Sequence, residues 1–279
     1  MGVINVTPDS FSGDGLLAGE GSPLEVALAQ AQAFAAEGAD MLDVGGESTR
    51  PGSQAITPEE ELDRVVPVIE ALAGAGLGVW ISVDTSKALV AEAALRAGAH
   101  WINDVWGLRA DPAMAGVAAR YQAPVILMHN RLQPANAELQ PRLEGRYVGV
   151  EYNNLLEDIK TELLQSVALA HTAGIADRHI ILDPGIGFGK TVAQNLELLD
   201  RLDELRILGY PLLVGPSRKS FIGFTLDLPP DQRVEGTAAA VAISIARRVD
   251  IVRVHDVRAI ARVVRMADAI VRRNESRKP

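Results

Sequence analysis

Eight short apolar runs punctuate this 279-residue chain, each breaking off at Gly, Asp, Asn, Ser, Lys or His and each followed by a helix-patterned stretch. The runs are Gly2 to Val6, Met41 to Val44, Val79 to Val83, Trp101 to Asn103, Val125 to Met128, Ile180 to Leu182, Leu212 to Val214 and Ile251 to Val254. They are nearly free of alternation, as strands covered on both faces should be. Eight β/α units in a chain near the ~250 residues usual for the fold predict an α/β protein, a (β/α)8 TIM barrel forming a single domain over 1–279. Its basic end, about 274–279, is expected to fray.

The segments between runs start and stop like helices. Ser22-Pro23-Leu24-Glu25 and Thr57-Pro58-Glu59-Glu60 each place a capping hydroxyl, Pro at the first helical position and Glu at the third. Asp111-Pro112 predicts a third start of the same kind. Gly38, Gly98, Gly174 and Gly209 fall where helices should end, each just before a new run. A doubly wound open sheet is the rival arrangement. Closure is favoured by the count of eight and by the position of the chemically capable residues, which fall just after strands: Asn5, Glu47 to Arg50, Asp84, Asn103, His129, Asp183, Arg218 to Ser220 and His255. Parallel strands in a barrel would gather all of them at one mouth.

Composition excludes several classes of function. No apolar run approaches the ~20 residues of a membrane span, and no basic, apolar leader opens the chain, so a cytoplasmic protein without membrane contact is expected. The absence of cysteine removes disulfides, thiolate zinc sites and cysteine nucleophiles. A net charge of −9 disfavours nucleic acid as a partner. The basic residues gathered at the end, from Arg262 to Lys278, read as a solvated helix face and tail.

Two motifs fail on inspection. Gly185-Ile186-Gly187-Phe188-Gly189-Lys190-Thr191 looks like a phosphate loop, but Pro184 stands where the first glycine must be. The dinucleotide fingerprint fails as well, because Lys190 occupies the third glycine position. What remains is a glycine-rich turn that lets backbone or a flat ligand approach closely. The five histidines show no metal-ligand spacing. His100, His171 and His179 lie in or near helix-to-strand joints and read as structural, whereas His129 and His255 follow strands and admit a functional reading.

Asp84, Asn103 and Asp183 follow the third, fourth and sixth runs. Two carboxylates and an amide at one barrel mouth are costly unless hydrogen-bonded or bound to ligand. A planar heterocycle with several N–H donors would satisfy them, with Lys219 donating to a ring carbonyl. The competing reading is that Asp84 and Asp183 cap the helices that follow.

These residues sit in motifs that resemble dihydropteroate synthases in unbroken order: Asn5-Val6-Thr7-Pro8-Asp9-Ser10-Phe11-Ser12, Asp43-Val44-Gly45-Gly46-Glu47-Ser48-Thr49-Arg50-Pro51-Gly52, Ile81-Ser82-Val83-Asp84-Thr85, Ile102-Asn103-Asp104, Leu182-Asp183-Pro184-Gly185, Ser217-Arg218-Lys219-Ser220 and Arg253-Val254-His255-Asp256. The resemblance implies a barrel enzyme that joins 6-hydroxymethyl-7,8-dihydropterin diphosphate to p-aminobenzoate, giving 7,8-dihydropteroate and diphosphate on the folate pathway. By the same resemblance Asp84, Asn103, Asp183 and Lys219 would hold the pterin edge, Met128, Phe188 and Gly215 would shape its slot, and Arg253 would lie against the ring. Asn5, Thr49, Arg253 and His255 would take the diphosphate, with Asn5 ligating its Mg²⁺. Thr49, Arg50, Pro51, Ser220 and the Lys219 stem would form the p-aminobenzoate pocket, a target for sulfonamides. Catalysis would fall to Asp84, Lys219, Arg253 and His255.

The family also implies a homodimer formed through outer helices, for which Thr237 to Ala246 is a candidate. Relatives carry an extension before the first strand, where this sequence starts almost at Gly2. After the fifth run, Met128-His129-Asn130-Arg131-Leu132-Gln133-Pro134 departs from the family pattern, and the stretch to Tyr152 reads as an irregular loop without catalytic residues. A corrinoid-linked pterin methyltransferase would share the Asp/Asn/Asp set but lack the Ser-Thr-Arg-Pro and Ser-Arg-Lys-Ser loops. A catalytically silent pterin-binding homologue would be marked by loss of Asn5, Thr49, Lys219 or Ser220, and all four are present.

Overall fold

A computed structural model describes residues 1–7, 22–48, 55–132, 137–140, 142–148 and 150–273. The first half runs β1 (Gly2–Asn5), α1 (Pro23–Glu37), β2 (Met41–Gly45), α2 (Pro58–Gly74), β3 (Trp80–Asp84), α3 (Ala88–Arg96), β4 (Trp101–Asp104), α4 (Met114–Tyr121) and β5 (Val125–Met128). A hairpin, β6 (Ala137–Gln140) and β7 (Glu144–Tyr147), precedes α5 (Leu155–Thr172) and β8 (Ile180–Asp183). The chain ends with α6 (Val192–Asp200), β9 (Leu213–Val214), α7 (Ser220–Leu226), α8 (Val234–Ala246), β10 (Ile251–Val252) and α9 (Val257–Val271).

All eight apolar runs become parallel strands. Strands β1, β2, β3, β4, β5 and β8 pair in that order, and β9 pairs with β10. Single parallel bridges, Leu182 to Leu212 and Gly2 to Val254, join the two sets at both edges, so the ring of pairings closes as a barrel requires. The rival open sheet would leave two free edges.

Side chains alternate along each strand. One set, including Ile4, Leu42, Val83, Ile102, Leu127 and Leu182, is 0% exposed and packs outward against the helices in the main core. The other set points inward, where Ile126, Ile181 and Leu213 meet Trp101, Ile251 and Met1. Burying a Leu or Ile side chain contributes about 1.5–3 kcal/mol. The double-layered burial therefore makes the barrel wall rigid enough to hold a constellation at its rim.

Local signals are realised where they were strong. Ser22 and Thr57 form complete capping boxes with Glu25 and Glu60. Gly38, at φ +100°, closes α1 in the left-handed conformation that glycine takes without strain. Two expectations change. Asp111 is not the N-cap of the helix that follows: α4 begins at Met114 after Ala113, and the carboxylate accepts from Ala113 N at 2.9 Å and, with its other oxygen, from Ala88 N at 2.8 Å at the start of the neighbouring α3. The stretch after β5 is not wholly irregular, since Ala137 pairs with Tyr147 and Gln140 with Glu144 in an antiparallel hairpin.

Candidate active site

The inward alternation carries the predicted residues to one level. Two residues beyond the inward-facing Trp101, Ile126, Ile181, Leu213 and Ile251 stand Asn103, Met128, Asp183, Gly215 and Arg253. Parallel register aligns Asn5 with Gly45, Gly45 with Asp84 and Asp84 with Asn103, and Met128 with Asp183. A period of two residues thus places a polar ring on top of an apolar plug, at the C-terminal mouth where barrel enzymes act.

At the centre of this ring one guanidinium serves two carboxylates. Arg253 Nε donates to Asp43 Oδ2 at 2.6 Å, and its Nη2 donates to Asp84 Oδ2 at 2.7 Å. Asp43 Oδ2 also accepts from Asn103 Nδ2 at 2.9 Å, which fixes the amide's orientation. Burial pushes the Asp84 carboxyl up to about 7, with Arg253 pulling it down and Asp43 pushing further up. Asp84 is no helix cap: α3 starts at Ala88 behind Lys87 and receives no side-chain cap from it.

On the far wall, Asp183 Oδ1 accepts the N–H of Gly185 at 2.7 Å, opening the glycine-rich turn rather than capping α6, whose cap is Thr191. Burial raises the Asp183 carboxyl, while Lys219 opposes the shift. Lys219 reaches over the turn, donating to the Ile186 carbonyl and placing its ammonium 4.3 Å from the centre of the Phe188 ring. A Cβ on Gly187 would stand 2.7 Å from Lys219 Cδ, so only glycine lets the lysine lie across the turn. Burial lowers the Lys219 ammonium to about 7. Asp84, Asn103, Met128, Asp183, Gly215 and Arg253 thus stand at one level of the barrel mouth, with Lys219 near Asp183 and Phe188, and the space they border is the candidate slot.

The remaining predicted residues fall into two groups. His255 is half-buried past β10, with its Nδ1 and backbone N each 3.1 Å from Ser217 Oγ. Ser220 is the first residue of α7, directly after Lys219. Thr49, Arg50 and Pro51 lie outside the described residues, as do Pro8 to Gly21 of the first loop. His129 does not reach the slot: it is 1% exposed and packed between Lys190, 2.9 Å away, and Glu162, 3.1 Å away.

Among the described residues no group of three or more Asp, Glu and His side chains could hold a metal ion. Asn5, half-buried at the end of β1, offers one neutral amide oxygen. Such a donor suits a hard cation whose other ligands are phosphate oxygens and water.

Sequence reasoning missed Asp43, Lys190 and Asn195. Asp43 lies within an apolar run, and the available signal is a carboxylate inside a strand expected to be buried on both faces. Lys190 was set aside with the failed phosphate loop. Asn195 accepts from the N–H of Gly187 at 2.6 Å and supports the turn from below, a role without a sequence signature.

Residues 1–255 match the family model described as pterin binding enzyme. The chain is 49% identical over 271 residues to the dihydropteroate synthase of Bacillus subtilis, covering 97% of this chain and 88% of that one. It is similar to the Yersinia pestis dihydropteroate synthase solved with a sulfonamide drug complex, at 44% identity and TM-score 0.86, covering 97% and 93% of the two chains. It is also similar to the Xanthomonas albilineans dihydropteroate synthase solved with 4-aminobenzoic acid, at 41% identity and TM-score 0.85, covering 100% and 93%. Matched along the barrel and bearing the slot at its rim, this chain belongs to the pterin binding enzymes and, among them, to the dihydropteroate synthases.

Proposed function

We propose that this chain condenses 6-hydroxymethyl-7,8-dihydropterin diphosphate with p-aminobenzoate, forming 7,8-dihydropteroate and diphosphate for folate synthesis. The observation that carries the reading is the Asp43–Arg253–Asp84 bridge facing Asp183 and Lys219 across one slot. Its acceptors match the donor-rich edge of a pterin, and its cation stands where negative charge must leave.

The carboxylates of Asp84 and Asp183 and the amide of Asn103 hold the pterin edge, while Lys219 donates to the ring carbonyl. Met128 and Phe188 flank the ring, and Gly215 leaves room beside Arg253. Departure of diphosphate spreads positive charge from the methylene into the ring. Asp84 stabilises that charge in a site that is already oriented, so little reorganisation accompanies the step. Arg253 and His255 receive the diphosphate with Asn5 and Thr49. Mg²⁺, held by the Asn5 oxygen and the diphosphate itself, would offset the charge of the leaving group. The arylamine is neutral near pH 7 and attacks without a strong base, in a pocket made by Thr49, Arg50, Pro51, Ser220 and the Lys219 stem.

The same reading has the enzyme act in the cytoplasm as a homodimer. Support for association comes from α8 and α9, which pack together and leave Ile243, Met266 and Ile270 exposed. No helix among the described residues is long and apolar enough to cross a membrane. The activity is tested by supplying both substrates with Mg²⁺ and following 7,8-dihydropteroate by mass spectrometry. Product formation, blocked by a sulfonamide and restored by excess p-aminobenzoate, is expected; its absence with folded protein would contradict the assignment.

A further inference from the structure

Beneath the glycine-rich turn lies a buried cation to which the reaction assigns no task. Lys190 is 1% exposed, yet its ammonium donates to the carbonyls of Gly185 at 2.9 Å and Phe188 at 3.2 Å, and contacts His129 Nδ1 at 2.9 Å. Three donors thus meet three acceptors, the full capacity of an ammonium group. With Nδ1 facing the ammonium, Nε2 lies 3.1 Å from Glu162 Oε2. Burial, then Lys190, lower His129 to about 4, so a neutral ring stands between the two charges.

The turn itself is bent by three glycines, Gly185, Gly187 and Gly189, all at positive φ. Asn195 holds its other side, accepting from Gly187 and donating to the carbonyls of Lys190 and Thr191 at 3.1 and 2.8 Å. The upper surface of this turn is what Lys219 rests on, through the Ile186 carbonyl and the Phe188 ring.

We propose that Lys190, backed by His129 and Glu162, is a positioning residue that sets the pterin slot by fixing the turn that carries Phe188 and supports Lys219. The proposal rests on the pterin reading of the slot. Lys190 acts through these residues and touches no substrate. Removing the ammonium leaves the Phe188 carbonyl without this donor and the Gly185 carbonyl with the Phe188 N–H at 3.1 Å, and the turn must rearrange to replace the lost bonds. Phe188 and Lys219 then lose their common support, so pterin affinity falls, and by more than the affinity for p-aminobenzoate, which meets the turn only through the Lys219 stem.

A pH signature accompanies the geometry. Lys190 holds the carbonyls fully only while protonated, and burial lowers it to about 7. The groups facing it are His129 and Arg131 after β5, Glu162 on α5, Asp183 at the end of β8 and Lys219 before α7. Glu162 raises Lys190, and its own contacts are with His129 and Arg131 rather than Lys219 or Asp84. Neutralising Glu162 therefore lowers Lys190, and His129 and Arg131 with it; Glu162 is not among the groups that shift Lys219 or Asp84.

The test measures binding of 6-hydroxymethylpterin by calorimetry for the full-length wild type, Lys190→Met and Glu162→Gln. Lys190→Met is expected to weaken pterin binding by about tenfold or more, with the KM for p-aminobenzoate at saturating pterin diphosphate raised by a smaller factor. Glu162→Gln is expected to move the alkaline fall of pterin binding to lower pH. A folded Lys190→Met that binds pterin like the wild type, or a Glu162→Gln with an unmoved alkaline limb, would overturn the proposal. Should Lys190→Met fail to fold, the partly exposed Glu162 still decides the matter through its pH limb. A wild type that binds no pterin would instead overturn the functional reading, and this inference with it.

Discussion

Asp84 and Arg253, 169 residues apart in sequence, meet at 2.7 Å between Oδ2 and Nη2 at the mouth of the barrel. The pairing joins the group assigned to the developing pterin cation to the group assigned to the departing diphosphate. Asp84→Asn keeps the shape and removes the charge. Pterin binding should stay within about tenfold, ~1.4 kcal/mol, while turnover falls by about a hundredfold or more, because charge stabilisation peaks in the transition state. Calorimetry paired with steady-state rates checks this; equal losses in binding and turnover would contradict the role.

Asp43 carries the structural side of the same bridge. It is fully buried and accepts from both Arg253 and Asn103 through one oxygen. Asp43→Ala leaves a buried guanidinium short of a partner, which should cost about 3 kcal/mol. Urea unfolding measures the loss, and a stability within about 0.5 kcal/mol of the wild type would show that Asp84 alone suffices for Arg253.

A narrow pH optimum should follow from the two walls of the slot. Asp84, raised to about 7, acts as carboxylate, so activity rises as pH climbs through that value. Lys219 and, beneath it, Lys190 are both lowered to about 7 and act as ammonium groups, so activity falls as pH rises further through the loss of either. The kcat/KM for the pterin diphosphate reports the free enzyme and should be bell-shaped around neutrality. In Asp84→Asn the acid limb should vanish from the residual activity; a limb that persists unchanged would belong to another group.

Asp111 offers a prediction about stability alone. Its carboxylate accepts from Ala88 N at 2.8 Å and from Ala113 N at 2.9 Å, serving the start of α3 from outside that helix. Asp111→Ala should cost about 1–2 kcal/mol, the usual loss for a helix cap, and leave kcat unchanged. Thermal unfolding and initial rates together check it.

The barrel was legible because its signals are local. Apolar runs, capping boxes at Ser22 and Thr57 and stop glycines such as Gly38 each depend on a few neighbouring residues. Those site residues legible from the strand-end pattern alone, such as Asn103 and Asp183, lie just past the buried part of a strand, where a polar side chain stands out. Asp43 was missed because its partners, Asn103 and Arg253, are 60 and 210 residues away, and only closure of the barrel brings them together. Asp111 misled for a similar reason, since its carboxylate caps a helix 23 residues earlier. The hairpin after β5 pairs Glu138 with Arg146, a cross-strand contact without the alternation or turn signature that marks a hairpin in sequence.

Coupling of the two substrates is the central claim, and diphosphate release measures it most directly. Wild-type protein with Mg²⁺ and 6-hydroxymethyl-7,8-dihydropterin diphosphate should release diphosphate in step with 7,8-dihydropteroate formation, and only when p-aminobenzoate is present. Tight pterin binding without p-aminobenzoate-dependent release would contradict the account and leave a pterin-binding barrel that catalyses no condensation.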